Sequence, residues 1–156
     1  MKTIASLAAL AFALGCGTAY AQYSDGVIKI GVMNDMSGTY ADLSGPGSVI
    51  AARMAVEDFG AAAKGMKVEI LGADHQNKPD IGSNVVRQWI DVDKVDVIVD
   101  VPTSSVALAV SDIAKDKNKV FLGSGPGASD LTGSNGSAAG SHVPGRSREV
   151  AARSPV

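Results

Sequence analysis

Four short runs rich in β-branched residues, separated by three stretches of helical spacing, constrain this chain more than any other feature. Residues 27–33 (VIKIGVM), 67–71 (KVEIL), 96–101 (DVIVDV) and 119–122 (KVFL) read as strands. The third is apolar enough for a strand buried on both faces. In the first intervening stretch, 48–59, Ile50, Met54 and Phe59 fall near one face and Gly60 closes the helix. Pro79 and Asp80 open the second, with Asp80 placed to cap it and Val85, Val86, Trp89 and Ile90 recurring at three- and four-residue spacing. Ser104 or Ser105 caps the third, along which Val106, Ala109, Val110 and Ile113 form a stripe. Such alternation implies right-handed crossovers and an α/β fold, a parallel sheet with helices on both faces. Ligands of such sheets bind beyond the carboxyl ends of the strands. Here those ends are residues 34–44, 74–78, 101–105 and 123–130, all polar.

The start of the chain has a different texture. Lys2 precedes an apolar run from Ile4 to Leu14, and small residues follow at Ala19 and Ala21. That is the layout of a cleavable secretory signal over residues 1–21, cut after Ala21. The run is shorter than the roughly 20 apolar residues a membrane span needs. A competing reading takes Ala13-Leu14-Gly15-Cys16 as a lipoprotein box, with Cys16 as a lipid-anchored N-terminus. Either way the protein is expected to work outside the cytoplasm, in the periplasm. Its only cysteine lies inside the leader, so neither a disulfide nor a thiol nucleophile is expected. The formal net charge of −2 offers no basic excess for nucleic acid. Two histidines, His75 and His142, supply no metal-ligand spacing, and no metal or cofactor is expected.

After Thr132 the pattern breaks. Residues 133–156 are rich in Gly and Ser, lack a strand, and net positive through Arg146, Arg148 and Arg153 against Glu149. A reversal of charge and texture inside a βα pattern marks a disordered tail or a change of reading frame. Residues 22–132 are expected to form the folded unit.

Val101-Pro102-Thr103-Ser104-Ser105-Val106 is the sharpest local signal. Hydroxyls at a strand-to-helix junction sit beside open backbone N–H groups and the positive helix end, a natural site for a carboxylate. The same serines also suit simple helix caps. Gly123-Ser124-Gly125-Pro126-Gly127-Ala128 follows a strand but is neither a Walker loop nor a dinucleotide fingerprint. It also has Leu122, two residues before Ser124, where a nucleophile elbow requires a glycine. It reads as a backbone that a small ligand approaches closely, or as a turn. Asp74 beside His75 makes a poor catalytic dyad, because loop neighbours diverge in direction. Trp89 reads as core, and Tyr40 as either a cleft wall or a surface residue.

These motifs resemble those of periplasmic solute-binding proteins of the leucine/isoleucine/valine type, the receptors of ABC importers. The resemblance lies in residues 26–38 (GVIKIGVMNDMSG), 41–47 (ADLSGPG), 73–80 (ADHQNKPD), 101–110 (VPTSSVALAV) and 123–132 (GSGPGASDLT), in that order. It implies the type I fold: two α/β lobes closing on a small solute, of which this chain carries an incomplete first lobe. It also implies a membrane permease as partner and no enzymatic activity. The family's amino-acid contacts carry over to Ser104 and Ser105, and to Ser124, Pro126, Gly127 and Ala128, with Tyr40 against the ligand side chain. The family often has Thr where Ala128 stands, which removes one hydroxyl contact and brings in organic acids and amides as alternative solutes. Members are more than twice this length, so a truncated receptor binding its solute weakly or not at all is expected. The competing functions are a non-functional gene fragment and an exported α/β enzyme fragment. The latter would need a base and nucleophile that His75 and these serines do not assemble.

Overall fold

The computed structural model describes residues 25–131. The expected leader, its cut after Ala21, the alternative anchor Cys16 and the segment 133–156 lie outside the described residues. Strands β1 (Ile28–Asn34), β2 (Val68–Asp74), β3 (Val97–Asp100) and β4 (Val120–Gly123) form one sheet in the order β2-β1-β3-β4. Every pairing is parallel; Ile30 lies opposite Ile70 and Val97, and Asp100 opposite Gly123. Three helices make the crossovers: α1 (Gly45–Phe59), α2 (Pro79–Gln88) and α3 (Ser104–Asp116). The α/β architecture expected from the alternation is therefore present.

Side chains alternate across each strand, and the two faces are covered unequally. Gly31, Met33, Ile98 and Phe121 face α2 and α3, where Val86, Trp89, Val106 and Val110 complete a buried core. Trp89 belongs to this core, lying against Gly31 in the one-turn π extension Trp89–Asp93 that follows α2. The extension ends at Lys94, whose φ of 61° turns the chain toward β3.

Helix α1 lies over the opposite face, against β1 and β2. Its inward stripe is Val49, Ala52 and Val56, whereas Ile50, Met54 and Phe59 are more than half exposed. Ile50 and Met54 are four residues apart on the outward side. Phe59 follows Met54 by five and falls beside the inward stripe, lining a groove with Val56, so the expected single face does not form. The small side chains at Ala52 and Gly72 let the inward stripe approach the sheet. The helix also starts at Gly45, three residues ahead of expectation. Pro46 in the first turn explains this, since its fixed φ suits a helix start and its missing N–H is not needed there. Gly60 stops the helix at φ 66° as expected.

Neither of the two expected side-chain caps forms. Asp80 falls inside the first turn of α2, where Lys78 occupies the cap position. Thr103 occupies the cap position of α3, so Ser104 and Ser105 are its first helical residues, and no side-chain cap bond is made.

Candidate functional site

All four strands end on the same edge of the sheet, and a buried or half-buried carboxylate organises the loop after each of the first three. Beyond β1, Asp35 is wholly buried and accepts hydrogen bonds from the N–H groups of Gly38 (2.7 Å) and Tyr40 (3.0 Å). This folds the loop tightly enough that a Cβ at Gly38 would lie 2.5 Å from Asp35 Oδ1. Asp35 thus sets where Tyr40 stands. At the end of β2, Asp74 accepts from the N–H groups of Met36 (2.9 Å) and Gln76 (2.7 Å) and from the Ser37 hydroxyl. Burial pushes the Asp74 carboxyl up, but the Ser37 hydroxyl, the two N–H groups and nearby His75 outweigh it and hold its pKa below the ordinary value.

His75 turns the other way, into the core, and is fully buried. Its Nδ1 accepts from the Asn77 N–H at 2.9 Å, which places the proton of the neutral ring on Nε2. Desolvation lowers its pKa, and the charges of Asp35, Asp74 and Asp100 offset this only in part. The acid and the imidazole diverge, as expected for loop neighbours, and Asp74 is engaged by backbone. Gln76 and Asn77 follow at φ 51° and 56°.

The end of β3 is the most unusual stretch of backbone. Asp100 and Val101 have φ of 78° and 50°, a region that side chains avoid and β-branched residues avoid most. Such outliers concentrate at functional sites, where surrounding contacts hold them. The Asp100 carboxylate accepts from Asn34 Nδ2 (3.2 Å) and from the Ser124 hydroxyl, and its carbonyl accepts from the Ser124 N–H (3.2 Å). The chain then passes through Pro102 and Thr103 into α3. The loop after β4 folds back on this junction. Gly127 N–H donates to Ser104 Oγ at 3.1 Å, and a Cβ at Gly125 would lie 3.2 Å from that of Pro102.

These loops enclose an open cleft of about 720 Å³, lined by Tyr40, Leu43 and Ser44 on one side and Pro102, Thr103, Ser104 and Ser105 on the other, with Asn77 between them. Three of the site residues expected from the sequence, Tyr40, Ser104 and Ser105, line it together. Ser124 and Gly127 are exposed on the adjoining loop and are tied to the cleft through Asp100 and Ser104. Pro126 is buried against Gly123, and Ala128 packs on the core. Leu43, Asn77 and Thr103 were not singled out from the sequence, although each lies in a strand-end segment where ligands were expected. The first N–H groups of α3 open toward the same place, with the positive end of the helix dipole. The arrangement suits a carboxylate at the α3 end and an apolar group against Tyr40 and Leu43. Among the described residues, no three His, Cys, Asp or Glu are grouped to hold a metal ion.

A parallel sheet whose strand ends gather a polar cleft defines an α/β ligand-binding lobe. The chain belongs to the periplasmic binding protein family: the family model described as "Periplasmic binding protein" matches residues 27–152. That span includes residues beyond Thr132, where the motifs quoted above end. Among solved structures, a periplasmic binding protein from Burkholderia mallei is 40% identical with a TM-score of 0.71, over 75% of this chain and 31% of that one. A branched-chain amino acid ABC transporter periplasmic ligand-binding protein from Burkholderia xenovorans is 41% identical with a TM-score of 0.63, over 67% and 28% of the two chains. A solute-binding protein of an ABC transporter from R. palustris, solved with benzoate, has a TM-score of 0.66 over 75% and 32% of the chains; its 24% identity makes this a likeness of fold. The chain thus spans about a third of the length of these solved relatives. The comparison with curated proteins gives no match. The sheet corresponds to part of the N-terminal lobe of the type I fold, and the family is one of solute-binding proteins rather than enzymes.

Proposed function

We propose that this chain is the N-terminal part of the substrate-binding component of an ABC importer for amino acids or related small carboxylate or amide solutes. The observation that carries this reading is the cleft itself. Thr103, Ser104 and Ser105 stand at the open N-terminus of α3, opposite Tyr40 and Leu43, at the carboxyl ends of parallel strands. Backbone N–H groups and hydroxyls at a helix start favour a carboxylate, while the opposite wall offers apolar surface to a side chain. The loop of Ser124, Pro126, Gly127 and Ala128 adjoins the polar end of the solute and serves it by fixing Ser104 through Gly127, with Pro126 and Ala128 packed inward as its footing. The 41%-identical relative, described as a branched-chain amino acid receptor, supports the solute class.

In this reading a leader is removed after Ala21, the receptor works in the periplasm, and a second lobe closes over the solute before delivery to a membrane permease. Pockets that bind well bury most of their ligand, so the cleft of this lobe is one half of a site. Residues 22–132 form the partial lobe, and 133–156 stand as a tail or a shifted reading frame. Sequencing the DNA through the Thr132 codon and translating all three frames tests that last point: a second lobe resuming in another frame is the expected result.

The binding reading is tested by calorimetry on the two-lobe product of the gene with L-leucine, L-isoleucine, L-valine and their amides and hydroxy-acid analogues. Saturable micromolar binding of one class is expected, whereas residues 22–156 alone should bind weakly or not at all. Replacing Ser104 by Ala should weaken it about tenfold or more, the usual worth of a hydrogen bond to a charged group. Failure of the whole panel to bind would overturn the reading.

A further inference from the structure

We propose that Asp100 is the positioning residue for solute binding, fixing the loop after β4 in the shape that presents Ser104 to the cleft. The inference rests on the binding reading above, and it begins from the backbone. At φ 78° a glycine would be at ease. An aspartate stands there instead, followed by Val101 at φ 50°, so the side chain must justify the conformation. Its carboxylate joins three strands: it belongs to β3, accepts from Asn34 Nδ2 at the end of β1 (3.2 Å), and accepts from the Ser124 hydroxyl just past β4. The Asp100 carbonyl takes the Ser124 N–H as well, at 3.2 Å.

The loop from Ser124 to Gly127 is therefore anchored twice, at Ser124 by Asp100 and at Gly127 by the Ser104 hydroxyl oxygen (3.1 Å). The Ser124 hydroxyl spends its one proton on Asp100, so toward a solute it offers lone pairs only. Ser104, accepting from Gly127, keeps its own proton free to donate into the cleft. Releasing the first anchor frees the loop, withdraws Gly127, and leaves the Ser104 hydroxyl without the contact that orients it. Asp100 acts on the solute through this chain of contacts and does not line the cleft.

The test uses the intact gene product in four forms: wild type, Asp100→Gly, Ser124→Ala, and the exchange Asn34→Asp with Asp100→Asn. Asp100→Gly suits the backbone while deleting the carboxylate. The exchange swaps amide and carboxylate, so a donor and acceptor still face each other. Amide hydrogen exchange is read at residues 124 and 127, whose N–H groups are hydrogen-bonded, against Val32 and Ile98 in the strands. We expect exchange at these two loop amides to rise about tenfold in Asp100→Gly and Ser124→Ala, the worth of one charge-assisted hydrogen bond, with the strands unchanged. The exchange pair should return the loop toward wild-type protection, a rescue that general loss of stability would not produce. L-leucine affinity should follow the same order, about tenfold weaker in Asp100→Gly and partly recovered in the exchange pair.

Unchanged loop protection in Asp100→Gly, or a rise shared equally by Val32 and Ile98, overturns the proposal. Should Asp100→Gly not fold, Ser124→Ala decides the matter, because its side chain is exposed and its loss leaves the sheet intact. Should wild type bind no member of the solute panel, the solute reading fails while the exchange data still decide the role of Asp100.

Discussion

A methyl group added at Gly31 would lie 2.5 Å from the Trp89 ring, and one at Gly82 would lie 2.6 Å from Val106 Cγ1. Trp89 is buried in a packed core and has no open side to move toward. Gly31→Ala should therefore cost about 1–3 kcal/mol, the range for overpacking, as measured by urea denaturation. His75 sets a second prediction at this scale. In the unfolded chain it takes up a proton near its ordinary value of 6.5, while the folded protein resists until lower pH. The unfolded state then binds more protons, so stability falls as pH drops below about 6.5 and is flat above it. His75→Gln should lower stability overall but flatten that slope between pH 7 and 5, read from denaturation midpoints. Trp89 was legible as core from its stripe, and Tyr40, Ser104 and Ser105 from their place at strand ends. The carboxylates that arrange the loops were not. Asn34 and Asp100 are 66 residues apart, and no local pattern reveals that their side chains meet.

The strands and helices themselves were legible, because each β-branched run and each three- or four-residue spacing leaves a local mark. Their ends were less so. The caps of α2 and α3 depend on where the turn falls, not on which polar residue is near, and the cap falls at Thr103, one position before Ser104 and two before Ser105. The orientation of α1 was illegible for a related reason: Ile50 and Met54 are at helical spacing just as Val49, Ala52 and Val56 are, and only the sheet beneath chooses between them. That choice is testable. Met54, more than half exposed, should tolerate Met54→Gln within about 0.5 kcal/mol, as surface positions do. Ile98, 1% exposed in the central core, should lose about 2–5 kcal/mol on Ile98→Ala. A core-sized cost at Met54 would mean that α1 sits with its other face on the sheet; Ile98, on the face covered by α2 and α3, supplies the scale of such a cost.

At the scale of the molecule, the two faces of the sheet differ in how well they are covered. Helices α2 and α3 together span one face, but α1 alone lies on the other and packs mainly on β1 and β2. Beside it runs an apolar groove of about 390 Å³ between Phe59 and Val56 of α1 and Ile28, Ile30 and Val99 of the sheet. The alternation of the strands carries this surface on to Val97 and, through the paired Val120 and Leu122, to β4. With Phe59 exposed at the end of the helix and Val120 at the sheet edge, apolar surface runs from the helix across the sheet to its edge. Contiguous patches of this kind recruit a partner or drive association, since each Å² removed from water is worth about 25 cal/mol. A preparation of residues 22–156 should therefore enhance the fluorescence of a hydrophobic dye such as ANS and self-associate as its concentration rises. Replacing Phe59 by Ser together with Val99 by Thr should reduce both signals, because both residues line the groove. Sedimentation showing a monomer at high micromolar concentration, with no dye enhancement, would mean that this face is covered from within the chain itself.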